Sequence, residues 1–225
     1  MRNKLYRRGA RSRAGMSLVE ATIAAAITAV ILGAIGRAAL SGQSSATQTM
    51  VATELETQAR GVVDRIAEEL VAARTTGLNP SPTGTFGSST LTYQKCTGYA
   101  GGVATFGTNQ RIRWVLEPTE IDNGADDDRD GLIDEGMVEF TRDLGAGTQR
   151  IVRWARGVRE YLARETPNVA DDNANGLIDE RGLSFSLTGR VLTIRLTLQG
   201  IAEKGEGASG RILTRTVETS VRLRN

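Results

Sequence analysis

Two stretches concentrate the oxygen chemistry of this 225-residue chain. Asp126-Asp127-Asp128-Arg129-Asp130-Gly131-Leu132-Ile133-Asp134-Glu135 recurs 45 residues later as Asp171-Asp172-Asn173-Ala174-Asn175-Gly176-Leu177-Ile178-Asp179-Glu180, identical at seven of ten positions. Both fit D-x-[DN]-x-[DN]-G-x-x-D, the opening of a calcium-binding loop. Asp126, Asp128 and Asp130, or Asp171, Asn173 and Asn175, stand at positions one, three and five, where their oxygens can converge on one cation. Glycine at position six permits the sharp turn, and the carbonyl of Leu132 or Leu177 at position seven points inward. Asp134 and Asp179 hold position nine. Hard oxygen donors without imidazole or thiolate favour calcium over zinc.

These copies are not true EF-hands. Position twelve, where an EF-hand places a bidentate glutamate, is occupied by Met137 and Gly182. Glu135 and Glu180 are the candidates to compensate. The first loop is expected to bind more tightly, because the second replaces two aspartates with asparagines. Seven acids lie between Asp122 and Glu135 against Arg129 alone. That density is repulsive until a divalent ion neutralises it, so chelators should loosen both loops. The competing reading is a pair of solvated hairpin turns, against which the shared Leu-Ile-Asp-Glu argues.

The loops need a scaffold, and the apolar pattern supplies one. Val51, Leu55, Ala59, Val62, Ile66 and Leu70 form one stripe of an amphipathic helix, with Glu54, Glu56, Arg60, Asp64, Arg65 and Glu68 on other faces. Gly77, Pro80 and Pro82 supply the stop. Residues 77 to 110 are rich in Gly, Thr and Ser and read as a loop region with one strand, Leu91 to Lys95. Beyond them the period becomes two: Ile112, Trp114 and Leu116; Leu192, Ile194, Leu196 and Leu198; then Leu213, Val217 and Val221. Shorter strands are expected at Val138 to Thr141, Gln149 to Trp154, Val158 to Ala163 and Leu183 to Leu187. The pattern predicts an α+β fold, a long helix on antiparallel sheet with one buried face.

The formal charge of +2 is carried by the start of the chain. Arg2, Lys4, Arg7, Arg8, Arg11 and Arg13 precede any acid, and beyond residue 15 there are 22 basic against 26 acidic residues, a net −4. A general nucleic-acid-binding surface is therefore not expected, and the Arg111/Arg113 and Arg150/Arg153/Arg156/Arg159 runs read as solvent faces of strands. With no histidine and one cysteine, Cys96, a zinc site, a histidine-based triad and an intrachain disulfide are excluded. No nucleophile–base arrangement is visible, so the chain does not read as an enzyme.

From Met16 to Gly36 the only ionisable side chain is Glu20. As a helix this segment spans about 30 Å, one hydrocarbon thickness. The preceding positive charges predict a cytoplasmic leader, with the rest of the chain beyond Arg37 across the membrane. A charged carboxylate at the centre of such a span costs about 2.5–3.5 kcal/mol, less near the interface. Nothing within the same helical turn is expected to pair with it.

Gly15-Met16-Ser17-Leu18-Val19-Glu20, after a short basic leader, resembles the type IV prepilin signal. The family comprises the type IV pilins and the pseudopilins of type II secretion, and the resemblance covers the first 40 residues. It implies cleavage between Gly15 and Met16 by a prepilin peptidase, N-methylation of Met16, and assembly through Glu20, which would meet the Met16 ammonium of a neighbouring subunit. Residues 1–15 would then be a removed leader, residues 16–76 a long helix (16–36 in the membrane) and residues 77–225 a β-rich head. The size and head look most like the PilW/GspJ-like minor pilins. The resemblance implies an inner-membrane protein with a periplasmic head that joins a pilus or pseudopilus beside other pilins. The alternatives are a major, adhesive or DNA-uptake pilin.

Overall fold

The structure, a computed structural model, describes residues 16–202 and 210–223. The expected leader and Gly15 lie outside these residues. The chain divides into two units, with the boundary between Ser45 and Ala46. One α-helix, α1 (Leu18–Val71), contributes to both.

Ser17 starts α1 by a reciprocal cap. Its Oγ accepts the Glu20 main-chain N–H at 3.2 Å, while its own main-chain N–H donates to Glu20 Oε2 at 2.9 Å. This capping box satisfies two donors that a helix start would leave orphaned. Along the first unit the helix is sheathed in Ile, Val, Leu and Ala side chains, with Ile23, Ile27, Val30, Ile31, Leu32 and Ile35 all more than half exposed. Among the described residues, α1 is the helix long and apolar enough to cross a membrane, and none of its most apolar window is buried.

In the second unit α1 buries one face. Leu55, Ala59, Val62, Ile66 and Leu70 of the expected stripe are buried, joined by Ala52 and Val63, while Val51 is half-buried. Leu55, Ala59, Val62, Val63, Ile66 and Leu70 share one core with Leu91, Tyr93, Ile112, Val138, Phe185, Ile194 and Leu196 from the sheet. Each fully buried Leu or Ile of this kind stabilises by about 1.5–3 kcal/mol. The helix ends at Val71 rather than reaching residue 76. The Ala72 carbonyl accepts the Cys96 N–H, and Ala73 bridges Lys95, so this backbone is drawn alongside the sheet. A short 3₁₀ turn, Thr75–Gly77, follows.

Among the described residues, seven antiparallel strands form the sheet: β1 (Thr90–Ala100), β2 (Val103–Leu116), β3 (Gly136–Arg142), β4 (Arg150–Val158), β5 (Leu183–Thr188), β6 (Val191–Ala202) and β7 (Arg211–Arg222). Their order is β1-β2-β3-β4-β6-β5, with β7 also on β6. Two expectations are corrected. Residues 77–110 are not mainly loop, because β1 and β2 form a long hairpin turned by Gly101 and Gly102, both at positive φ. Two consecutive glycines suit the tight turn that such a hairpin requires. Val158 to Ala163 is not a strand: β4 ends at Val158, and only Tyr161 bridges onward, to Arg181. There Glu160 holds Arg181 at 2.6 Å, and the guanidinium lies over the rings of Trp114 and Tyr161. The two acidic stretches are the β2–β3 and β4–β5 connections, each followed by a strand.

Candidate metal centre

Each acidic connection is folded by its own side chains, and the two use one plan. Asp126 Oδ2 accepts the Gly131 N–H at 2.9 Å, and Asp171 Oδ2 accepts that of Gly176 at 2.8 Å. Asp130 and Asn175 each accept the main-chain N–H two residues on, from Leu132 and Leu177. Upstream, Asn123 and Asn168 cap Ala125 and Ala170 at 2.8 Å. Gly131 and Gly176 sit at φ near 90°, a conformation that disfavours other residues. Arg129 and Ala174 are left-handed as well.

Among the described residues this plan brings together four of the expected ligands, all in the first loop, and no such carboxylate group forms in the second. In the first loop, oxygens of Asp128, Asp130 and Glu135 lie within 4.8 Å of one another, and so do oxygens of Glu120, Asp126 and Asp128. Asp128 belongs to both groups, so four other carboxylates lie around it. The side chains of Leu132 and Leu177 turn inward and are buried, fastening each loop to the head. Ile178 donates its N–H to the Thr85 carbonyl at 2.8 Å, which fastens the second loop further.

Asp134 and Asp179 do different work from that expected of position nine. The two Asp134 oxygens accept the N–H groups of Asn123 and Gly124, at 3.1 and 2.7 Å. Asp179 does the same for Asn168 and Val169, at 3.1 and 2.9 Å. Both residues close the mouth of the loop on its own backbone. Asp134 falls in a separate acidic group with Asp122 and Glu160, beside Arg181.

Whether the residues fit a cation is tested by the oxygens that lack donors. Glu135 is 1% exposed, and no hydrogen-bond donor among the described residues reaches either of its side-chain oxygens. Burial, with the nearby charges of Asp130, Glu120 and Asp128, pushes its carboxyl up to about 7. In the second loop, Glu180 Oε2, Glu165 Oε2 and Asn173 Oδ1 are also buried without a donor. Burial raises the Glu165 carboxyl too. An unpaired buried acceptor costs about 1–3 kcal/mol, more when charged, and a bound cation removes that cost. A divalent ion suits the oxygen-rich set, in which Asp126, Asp128, Asp130, Leu132 and Glu135, or Asp171, Asn173, Asn175, Leu177 and Glu180, could hold it.

Glu120 and Glu165 escaped the sequence reading. The repeat carries their signal: Glu-x-x-Asn-x-Ala-Asp-Asp occurs at 120–127 and again at 165–172, at the same 45-residue offset. At the other end of the chain, Met16 is exposed and precedes α1, and Glu20 lies in the capping box. The Ser17 main-chain N–H therefore supplies a partner within the same turn, where none was expected. No protein-family model matches this chain, and no curated protein or solved structure matches it either.

Proposed function

We propose that this protein is a membrane-anchored filament subunit of the pilin and pseudopilin kind, a minor subunit that assembles into or primes a type IV pilus or a type II secretion pseudopilus. The observation that supports it most is the bare apolar face of α1 in the first unit, introduced by Met16-Ser17-Leu18-Val19-Glu20. Such a face is costly in water, at about 25 cal/mol per Å² of apolar surface, so it calls for lipid and for sister helices. The leader would be cytoplasmic and the head periplasmic, with a prepilin peptidase cutting between Gly15 and Met16. In this reading the protein is acted upon rather than an enzyme, and its partners are other pilins. Calcium in the acidic loops would stiffen the head.

Glu20 then has two roles that substitutions separate. Gln can keep the capping box but carries no charge. Glu20→Gln is expected to leave the N-terminus processed to a methylated Met16, read by mass spectrometry, while the variant disappears from sheared filaments. Incorporation at the wild-type level would reduce Glu20 to a helix cap. An intact leader on the native wild-type chain would overturn the filament reading itself.

The DNA-uptake alternative is favoured by one surface feature, a cleft in which Arg65, Arg153 and Arg156 surround Trp154. Arg65 lies 5.0 Å from the centre of the indole ring. The net negative charge beyond the leader weighs against it.

A further inference from the structure

Six residues before each acidic loop stands a glutamate that the calcium-loop pattern does not contain. Glu120 precedes Asp126, and Glu165 precedes Asp171. Both are buried, at 6% and 1% exposure. Their bonding is identical. Glu120 Oε1 accepts the Asp128 main-chain N–H at 3.1 Å, and Glu165 Oε1 accepts that of Asn173 at 3.0 Å, each at position three of its loop. The second oxygen of each is buried and has no donor among the described residues. One Glu120 oxygen lies within 4.8 Å of oxygens of both Asp126 and Asp128. A solvated turn has no reason to bury a carboxylate against two others with an oxygen left unpaired.

We propose that Glu120 and Glu165 are cation ligands that close the two sites from outside the loops, in place of the glutamate that an EF-hand carries at position twelve. The first site is Glu120, Asp126, Asp128, Asp130, the Leu132 carbonyl and Glu135. The second is Glu165, Asp171, Asn173, Asn175, the Leu177 carbonyl and Glu180. The cation is a hard divalent ion, calcium by the number and kind of oxygens. This assignment rests on the calcium reading given above and deepens it. Glu120 follows β2 and Glu135 leads into β3, so one ion fastens both ends of the 117–135 connection. Glu165 and Glu180 do the same for 159–182. The first ion thereby ties the neighbouring strands β2 and β3, and the second ties β4 to β5, the two strands that flank β6.

The test is isothermal titration of calcium into the full-length chain in detergent micelles, for wild type, Glu120→Gln and Glu165→Gln. Gln keeps an acceptor for the position-three N–H, so the loop scaffold survives. Wild type is expected to bind two ions. Glu120→Gln should weaken only the tighter site and Glu165→Gln only the weaker. The loss should be at least about tenfold, because even outer-shell partners of a metal are worth about 10–100-fold. Unchanged affinities in both variants, with two ions bound by wild type, would overturn the ligand assignment and leave the calcium reading standing. No calcium bound by wild type would overturn both. Should the variants misfold, a calcium-loaded crystal structure of wild type decides. A Glu120 oxygen about 2.3–2.6 Å from the ion supports the assignment, and a side chain turned away overturns it.

Discussion

In the 120–135 loop Asp130 brings Glu135 a second negative charge, whereas in the 165–180 loop Asn175 brings Glu180 a hydrogen-bond donor at 2.6 Å. The main-chain bonds around the two pairs are nearly the same, from the asparagine caps to the closing Asp134 and Asp179. What differs is charge: five carboxylates form the two linked groups of the first site, whereas the ligands proposed for the second are Glu165, Asp171 and Glu180 with two amides. The shared scaffold fixes the shape of the loop, and the side chains at positions three and five fix how much that shape needs a cation. The first loop is frustrated without one. The second has partly satisfied itself.

The largest effect expected from this contrast is removal of the ion. At a calcium concentration about 1,000 times Kd, binding stabilises the folded state by about 4 kcal/mol, and chelation should remove that increment, read as a lower Tm. Next is a change of sign. Glu135→Gln removes a buried charge that lacks a donor, so it should raise stability in chelator and lower it in calcium, by about 1–3 kcal/mol either way. The same substitution at Glu180 should show a smaller gain in chelator, because that residue already has Asn175. Exchange of position five comes third: Asp130→Asn should weaken the first site and Asn175→Asp should strengthen the second, each by about 1–2 kcal/mol as one charge pair is removed or added in a partly buried setting. Calorimetric titration reads both.

The smallest effect concerns backbone. Gly124 and Val169 hold the same place in the two loops, both at positive φ, 75° and 63°. Glycine accepts that conformation, but a β-branched residue there is strained by about 1–3 kcal/mol. Val169→Gly should raise the melting temperature by the equivalent of about 1 kcal/mol once the greater freedom of the unfolded chain is offset. Gly124→Val should lower it. Negligible changes in both would mean that the positive φ at this place carries no strain.

The sequence carried the parts of this molecule whose physics is local and periodic. The stripe from Leu55 to Leu70 is buried as its spacing predicts, and Leu192, Ile194, Leu196 and Leu198 alternate into the core. The far half of the β1–β2 hairpin was illegible because Tyr99, Ala100 and Val103 are exposed, so no apolar alternation marks it. Its only signal was Gly101-Gly102. Val158 to Ala163 carries no true alternation, with Glu160 between Val158 and Leu162, and past Val158 it keeps an isolated bridge from Tyr161 to Arg181 beside the Glu160–Arg181 ion pair. At the candidate site, positions one to five could be read from spacing, because each ligand sits in one short turn. Glu120 and Glu165 could not, since a carboxylate six residues away enters the site only after Asp127 and Asp172 have folded the intervening chain back, through Asn123 and Asn168. Position nine misled for a related reason. Main-chain amides hold Asp134 and Asp179 at the loop mouths, and there Asp134 joins Asp122 and Glu160 instead of the other loop carboxylates.

Hydrogen exchange of the full-length chain, followed by mass spectrometry across a calcium titration, measures the contrast between the loops in one sample. The amides of residues 126–132 should become protected at the lower calcium concentration, and those of 171–177 only at a concentration at least about tenfold higher, the ratio that 1.4 kcal/mol supports. Protection of both segments at one concentration would contradict the unequal-charge account, and protection of neither would remove the cation from the head altogether.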